Sequence, residues 1–372
     1  MNFKKLKIAI VCDWLTNNGG AEKIILALHR LFPRAPIYTS IYNPEKMPEF
    51  RDAIIYTSRI QKMPWAMEKH QLYLGMMPRV FEEFNLDGYD IVISSSHSCA
   101  KGIITKPKTL HICYCHSPMR YAWENSHQYI QEYVMNGSIK RLAPLFLHKI
   151  RMWDRLSADR VDFFVANSKH VQQRIHKYYR RPSTVIYPFV NVKDFKVSTK
   201  RDDFYLAVGR LTPYKRFDLI VETFNQLRKP LKIVGTGVAK KKLVAQAGRN
   251  IEFLSNVTES RLAELYGLAK GFIFPQVEDF GITPLEAMAA GCPVIAYKKG
   301  GALETVLEKK TGIFFDEQNA VSLKAGIEKF EKMEFDPFSI RAHAEKFDRK
   351  VFENKMLEFI AKKWEIWQEE MV

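Results

Sequence analysis

Two glutamates flank a glycine turn in the segment Glu278-Asp-Phe-Gly-Ile-Thr-Pro-Leu-Glu286. Its pattern predicts a helix with Thr283 as N-cap, Pro284 as first residue and Glu286 as third. The free amides and positive dipole end of such a helix form a site for an anion, and the carboxylates beside it can hold hydroxyl groups. A site that offers both suits a phosphorylated sugar. The same residues also fit a capping box, in which Glu286 only bonds back to the backbone of Thr283.

A cationic segment, Gly209-Arg-Leu-Thr-Pro-Tyr-Lys215-Arg216, follows a predicted strand. Arg210 offers a planar fork of donors and Lys215 a point charge, which together suit a diphosphate leaving group. The alternative is a solvated basic loop. Asp279-Phe-Gly281 imitates the magnesium motif of protein kinases, but neither a His-Arg-Asp loop nor a Val-Ala-Ile-Lys strand accompanies it, which excludes that class.

Three glycine turns also follow predicted strands: Gly19-Gly20, Gly235-Thr-Gly237 and Gly300-Gly301. Glycines let the backbone approach a ligand closely, and a helix start after them supplies amide donors. The first two turns lack the spacing of a dinucleotide-binding fingerprint, which argues against a dehydrogenase. Ordinary tight turns are the alternative for all three.

His116 follows another predicted strand and begins the segment His-Ser-Pro-Met-Arg-Tyr-Ala-Trp123. An imidazole there can donate to a sugar hydroxyl or to a leaving oxygen, although a lone histidine is more often structural. Cys113 and Cys115 precede it, and the three could suggest a metal. Without a second Cys-x-x-Cys pair, an apolar strand end is the preferred interpretation.

Short apolar runs that alternate with helical patterns must position these residues. Such alternation predicts α/β domains with parallel, doubly wound sheets, whose ligands bind at the carboxyl ends of the strands. We expect a domain over residues 1–190, a linker over Pro188–Lys200, a second domain over residues 191–351, and a helix over residues 352–372 that packs back on the first domain. The predicted strands are Ile8–Val11, Asp90–Ser94, His111–Cys115, Asp162–Ala166, Val185–Tyr187, Phe204–Val208, Leu231–Val234, Ile251–Leu254, Gly271–Phe274 and Val294–Ala296.

The chain has 372 residues and a net charge of +16, with +12 in residues 1–190 and +4 in residues 191–372. A partner that carries phosphates should therefore approach the first half, and nucleic acid, anionic lipid and a lipid-linked diphosphate all fit. Five irregularly spaced cysteines indicate a reducing, cytoplasmic setting. No apolar run reaches the roughly 18 residues of a spanning helix, so we expect a protein that is soluble or lies on a membrane surface.

Taken together, these segments resemble the family 4 retaining glycosyltransferases of the GT-B fold, in which two Rossmann-like domains face each other across a cleft. The shared marks are Gly-Arg-Leu-x-x-x-Lys at 209–215, Val-Gly-x-Gly at 234–237, Glu-x7-Glu from Glu278 to Glu286, and Gly-Gly-x-x-Glu at 300–304. Gly-Gly-Ala-Glu22 and Cys115-His-Ser-Pro-Met-Arg-Tyr-Ala-Trp123 agree in the first half, where the chain is similar to bacterial O-antigen and exopolysaccharide mannosyltransferases. The resemblance covers nearly the whole chain.

The resemblance implies a role for each segment of the second half. Arg210 and Lys215 are expected to bind the donor diphosphate, Glu278 a hydroxyl of the donor sugar, and Glu286 the ribose. The backbone amides expected to line sugar and phosphates belong to Phe280, Gly281, Ile282 and Thr283. Gly237 is expected beside the donor, and the base near Leu254–Val257, with Val257 as a contact. Asp279 departs from the glycine that is usual there.

In the first half, the resemblance places His116 by the reacting sugar, Gly19 and Gly20 beside the phosphate or acceptor, and Arg120 on the acceptor side. It implies front-face transfer, in which the leaving phosphate helps to deprotonate the acceptor. No cofactor and no metal are expected, because protein cations replace the metal and no Asp-x-Asp triplet is present.

Two basic and apolar stretches, Arg59–Arg79 and Ile139–Trp153, are typical of membrane-surface elements, or else of ordinary helices packed in the first domain. With the charge excess, they favour an anionic membrane on the inner face of the cell and a polyprenyl-diphosphate-linked acceptor. GDP-mannose is the expected donor. The alternatives are a UDP-linked donor, an epimerase of the same fold, and a basic nucleic-acid-binding protein, which the lack of any nucleic-acid module disfavours.

Overall fold

A computed structural model describes residues 3–124 and 137–370. It describes the side chains of all these residues except residues 137–142. The chain divides into two compact units. One comprises Met1–Ile186 and Glu353–Val372, and the other comprises Tyr187–Phe352.

The first unit is built on a seven-stranded sheet in which every neighbouring pair is parallel, in the order β3-β2-β1-β4-β5-β6-β7. Chain order reverses beside β1, which pairs with both β2 and β4 and so marks the topological switch point. β1 is buried throughout, as expected of a parallel strand covered on both faces. The strands are β1 (Ile8–Cys12), β2 (Ile37–Thr39), β3 (Ile55–Thr57), β4 (Ile91–Ser96), β5 (Leu110–Cys115), β6 (Phe163–Ala166) and β7 (Ser183–Val185).

The helices of this unit cover the sheet with their apolar faces. In α1, the apolar residues Ile24, Ile25 and Leu28 are buried. The helices are α1 (Gly20–Leu31), α2 (Met77–Glu82), α3 (Arg120–Trp123), α4 (Gly137–Ser157) and α5 (Lys169–Tyr179).

The second unit repeats the plan with six strands, all paired in parallel, in the order β10-β9-β8-β11-β12-β13. Its switch point lies between β8 and β11, and an apolar core fills each face of the sheet. The strands are β8 (Tyr205–Val208), β9 (Leu231–Val234), β10 (Ile251–Leu254), β11 (Gly271–Phe274), β12 (Val294–Tyr297) and β13 (Gly312–Phe315). The helices are α6 (Phe217–Leu227), α7 (Lys240–Gln246), α8 (Glu259–Leu268), α9 (Ile282–Ala289), α10 (Ala302–Thr305), α11 (Ala320–Phe330) and α12 (Pro337–Glu345).

These two sheets confirm the predicted α/β class. The strands β2, β3 and β13 were not predicted from the sequence. The last strand of the first sheet was predicted over Val185–Tyr187, two residues later than the observed β7, which ends at Val185. Tyr187 is the first residue of the second unit.

The helix α13 (Arg349–Glu370) closes the described chain. The first part of this helix contributes to the core, since Met356, Phe359 and Ile360 are buried. Farther along, the ammonium of Lys363 lies 4.3 Å from the centre of the Phe163 ring, a cation–π contact within the first unit.

Candidate active site

The loops that follow β8, β9, β11 and β12 leave the same edge of the second sheet, because all four strands are parallel. Ligands bind at this carboxyl edge in doubly wound folds. The predicted donor-binding residues of the second half lie in these loops and in the first turns of the helix that follows β11, except Val257, which lies in the loop after β10.

Lys215 and Glu278 form a salt bridge between two of these loops, with 3.2 Å between Nζ and Oε1. Both side chains are mostly shielded, at 16% and 18% exposure. A Cβ atom on Gly209 would lie 3.4 Å from Lys215 Nζ, in ordinary van der Waals contact, so the amine lies against the start of its own loop. The structure thus pairs the expected phosphate ligand with the expected sugar ligand.

Arg210 is exposed, and no described residue forms a hydrogen bond or salt bridge with its guanidinium. Its backbone is fixed, because the Arg210 carbonyl accepts a bond of 2.8 Å from the Thr212 amide. A guanidinium on an anchored loop can therefore offer its donors to an anionic ligand.

The helix after β11 begins earlier than predicted. α9 starts at Ile282 with Gly281 as N-cap, so Thr283 is the second helical residue, Pro284 the third and Glu286 the fifth. The predicted N-cap role of Thr283 is wrong, and no side chain caps this helix, so the capping-box alternative fails as well. The cause is Gly281, whose φ of 88° lets the chain turn sharply into the helix. A Cβ atom added at this position would lie 2.9 Å from the Phe274 ring, so only glycine fits.

Glu286 is anchored from the interior of the unit. The hydroxyl of Tyr266 donates to Glu286 Oε2 over 3.1 Å, and burial raises the pKa of that phenol well above its usual value. Tyr266 therefore remains a donor, and it fixes one oxygen of a half-buried carboxylate.

Packing on two sides holds the loop between Glu278 and Gly281. The Phe280 ring is buried and stacks on Tyr187 with 5.5 Å between ring centres. On the other side, the Gly301 amide donates to the Glu278 carbonyl over 2.9 Å, and a Cβ on Gly301 would lie 2.3 Å from the Phe280 backbone. Phe280 therefore offers a ligand only its backbone, and Gly300-Gly301 borders this loop.

Gly237 packs against the cationic loop. A Cβ at this position would lie 2.3 Å from the Leu211 carbonyl oxygen, and the Leu211 amide donates to the Thr236 carbonyl over 2.8 Å. Glycine is therefore required at position 237 because two backbone segments approach each other closely there. Val257 and Ile282 are partly buried against the core, and Thr283 is half-buried.

Arg216 and Gln318 are site-supporting residues that the sequence did not reveal. Arg216 donates from Nη1 to Gln318 Oε1 over 3.0 Å, and Gln318 donates from Nε2 to the Pro275 carbonyl over 2.7 Å. This chain of bonds ties the loops after β8 and β11 to the segment after β13. These hydrogen bonds could not be predicted from the sequence, because Gln318 is 102 residues from Arg216 along the chain.

In the first unit, His116 follows β5, and its Nε2 lies 2.7 Å from Ser95 Oγ. The Asn167 side chain donates to the His116 carbonyl over 2.9 Å. Arg120 is the first residue of α3 and is half-buried. His116 and Arg120 therefore lie beyond the carboxyl end of β5.

Gly19 and Gly20 begin α1, with Gly19 as N-cap and no side-chain cap. A Cβ on Gly19 would approach Glu22 Oε2 to 2.8 Å, so a larger residue here would have to displace the end of the Glu22 side chain. Cys113 and Cys115 lie within β5, where burial raises the pKa of Cys113 to about 12 and that of Cys115 well above its usual value.

Asp13, directly after β1, accepts hydrogen bonds from four consecutive backbone amides, and no role was predicted for it from the sequence. One oxygen accepts from the amides of His97 and Ser98 over 2.7 and 3.0 Å, and the other accepts from those of Cys99 and Ala100 over 2.6 and 2.7 Å. The signal that could have revealed it is a lone acid at the end of an apolar run.

Comparison with known proteins places both units in glycosyltransferase families. The family described as Glycosyltransferase Family 4 matches residues 18–194, and the one described as Glycosyl transferases group 1 matches residues 191–351. The chain is 24% identical to the alpha-1,3/1,6-mannosyltransferase ALG2 of Mus musculus, over 92% of this chain and 93% of that protein. The match to ALG2 of Dictyostelium discoideum, at 26% identity, covers 62% of this chain and 64% of that one.

A shorter match, at 33% identity over 30% of this chain and 34% of the relative, is to a GDP-mannose-dependent alpha-(1-6)-phosphatidylinositol monomannoside mannosyltransferase of Mycolicibacterium smegmatis. Among solved structures, Anabaena HepE in complex with UDP is similar at a TM-score of 0.71 and 18% identity, over 96% of this chain and all of that one. That similarity concerns the fold.

Proposed function

Because the chain belongs to the family 4 glycosyltransferases, we propose that it transfers mannose from GDP-mannose to a lipid-linked saccharide, with retention, in surface polysaccharide biosynthesis. The observation that carries the proposal is the group formed by Arg210, Lys215 and Glu278 at the carboxyl edge of the second sheet. These residues place two cations and one carboxylate in two neighbouring loops, and a diphosphate joined to a sugar requires both kinds of group.

In the proposed reaction, Arg210 and Lys215 bind the diphosphate of the donor and stabilise the negative charge that grows on it as the glycosidic bond breaks. Glu278 accepts a hydrogen bond from a hydroxyl of the mannose, and Glu286 one from the ribose. The acceptor oxygen bonds to the anomeric carbon on the face that the diphosphate leaves. Its proton passes to the departing phosphate, so the products are the glycoside and GDP.

Mannose is favoured by the relatives reported above: all three are mannosyltransferases by name, and one of them is described as GDP-mannose-dependent. The test is transfer from GDP-mannose, UDP-glucose and UDP-galactose to a polyprenyl-diphosphate-linked saccharide by the full chain. We expect lipid-bound mannose with the anomeric configuration of the donor. Transfer only from a UDP-sugar would overturn the proposed donor, and an inverted product would overturn the proposed stereochemistry.

We also propose that the first unit docks on an anionic membrane, on the inner face of the cell. In α4, Leu145, Met152 and Leu156 are exposed and lie on one face, with 63% of Leu145 accessible. Lys149 lies on the same face and Arg155 at its border, so the surface combines apolar contact with positive charge. The opposite face, which includes Leu147 and Ile150, is buried.

The other predicted membrane segment contributes less than expected. Trp65 is 68% exposed, but Met77 is buried in the core of the first unit. The two segments meet, since a Cβ on Gly75 would lie 3.1 Å from the Phe146 ring. The side chains of residues 139–142, at the start of the basic segment, lie outside the described residues. Within the described part of the chain, no helix has both the length and the apolar character of a membrane crossing.

A further inference from the structure

His97 lies just beyond β4 and is held by the carboxylate of Asp13. Its backbone amide and its Nδ1 both approach Asp13 Oδ2, at 2.7 and 3.1 Å. The Trp14 ring meets the imidazole edge to face, with 4.6 Å between centres. Three contacts from the end of β1 therefore fix both the position and the plane of this ring.

The bond to Asp13 also fixes the chemistry of the imidazole. A carboxylate accepts hydrogen bonds, so Nδ1 must carry the proton that points at Asp13. In the neutral ring, this leaves Nε2 as an acceptor. The Asp13 side chain is fully buried, whereas 32% of the His97 side chain is exposed, so a buried acid orients a solvent-accessible base.

We propose that His97 binds the acceptor, accepting through Nε2 a hydrogen bond from the hydroxyl that receives the sugar or from its neighbour, and that Asp13 is the positioning residue that sets the imidazole. The inference rests on the proposed glycosyl transfer. The His97 ring lies 6.3 Å from that of His116, centre to centre, at the carboxyl edge where doubly wound folds bind ligands.

A merely structural histidine would need only the bond to Asp13. The loop does not depend on that bond, because Asp13 already accepts four backbone amides from residues 97 to 100. The Nδ1 contact adds orientation to an already anchored loop. Ser95 bonds to His116, and none of the described residues forms a hydrogen bond with His97 Nε2.

Two substitutions separate the two nitrogens. His97→Asn keeps an amide donor near the position of Nδ1 but has nothing at Nε2, whereas His97→Gln places an amide near Nε2. The exposed His176, in the same unit, provides the control His176→Asn. Each full-length variant is assayed with the donor that the wild-type protein uses, over a range of acceptor concentrations, and its affinity for GDP is measured by calorimetry.

We expect His97→Asn to lower kcat/KM for the acceptor by roughly ten- to hundredfold, as for one lost hydrogen bond to a substrate hydroxyl, with GDP affinity unchanged. His97→Gln should recover part of the loss, and His176→Asn should match the wild type. Full activity of His97→Asn, or rescue by Asn rather than Gln, would assign His97 a structural role and overturn the proposal.

Two further results separate this inference from the proposed function. A wild-type protein that transfers no sugar would refute the glycosyl transfer itself, whereas transfer from a donor other than GDP-mannose refutes only the donor. For Asp13, nitrogen NMR of the full chain should show the His97 ring protonated at Nδ1 when neutral. A ring protonated at Nε2 would overturn the positioning role.

Discussion

Lys215 Nζ lies 3.2 Å from Glu278 Oε1, across the loops that follow the neighbouring strands β8 and β11. Lys215, proposed to bind the diphosphate of the donor, and Glu278, proposed to bind its sugar, therefore form a salt bridge with each other before any donor binds. The pair is largely shielded from solvent, so it is more than a loose surface contact. Arg210 is exposed, and its guanidinium forms no hydrogen bond or salt bridge with any residue that the structure describes, which makes it the cation that a donor can reach first.

Replacing Glu278 by Gln should separate sugar binding from diphosphate binding. The amide keeps the shape of the side chain but loses the charge that holds Lys215, so the ammonium becomes more available to phosphate. We expect kcat to fall at least tenfold while affinity for GDP, which lacks the sugar, stays equal or rises. Calorimetry with GDP and steady-state rates provide the two measurements, and weaker GDP binding would refute the proposed division of roles.

Removing the Arg210 guanidinium should raise the barrier to transfer. We expect Arg210→Ala to cost about 2–4 kcal/mol, by analogy with the loss of one preorganised donor that stabilises a transition state. The matched control is Arg249→Ala, another exposed arginine of the same unit. Near-normal turnover of the Arg210 variant, or an equal loss in the control, would remove Arg210 from the proposed mechanism.

Chelation should leave the rate unchanged, because Arg210 and Lys215 are proposed to supply the positive charge that a divalent ion provides elsewhere. The measurement is transfer after dialysis against EDTA, with and without added magnesium or manganese. A rate that falls with EDTA and returns with one of these ions would contradict metal-free catalysis.

The exposed face of α4 should control membrane binding. We expect the triple variant Leu145→Ser, Met152→Ser, Leu156→Ser to lose most of its binding to vesicles that contain anionic lipid, because the apolar contact is removed while the basic residues stay. Its GDP affinity should be unchanged. Val321→Ser, at an exposed apolar position in the second unit, is the control. Sedimentation at low salt measures binding, and equal binding of triple variant and wild type would exclude this face.

His111 should make the first unit less stable in acid. Burial lowers its pKa from 6.5 to about 4, and Ser94 Oγ lies 2.8 Å from its Nε2. Between those values the unfolded chain binds a proton that the folded chain does not, so the free energy of unfolding falls as the pH falls. Denaturant titrations from pH 7 to pH 4 should show a weaker pH dependence for His111→Gln than for the wild type.

The control His176→Gln should keep the wild-type pH dependence, because that residue is exposed. Some dependence should remain in His111→Gln, since burial also lowers the pKa values of His29 and His343. An unchanged slope in His111→Gln would show that the ring is not the group that titrates.

The local pattern of apolar and polar residues was sufficient to predict most of the strands. β9, β10 and β11 have the bounds that were predicted, because each is a short, mostly apolar run between polar or glycine-containing turns. The start of α9 could not be read in the same way. Thr283-Pro284 is a strong local signal for a helix start, but Gly281 and its packing on Phe274 moved that start to Ile282.

What the sequence by itself determined is a set of candidate residues in the second half and the strand after which each one lies. Arg210, Lys215, Glu278 and Glu286 were found from residue type and spacing alone, because these are properties of neighbouring residues. Tertiary structure decided which of them meet: Lys215 with Glu278, Glu286 with Tyr266, and Asp13 with the loop that carries His97. Such contacts join segments far apart in the chain, and only the convergence of loops at one edge of a parallel sheet brings them within hydrogen-bonding distance.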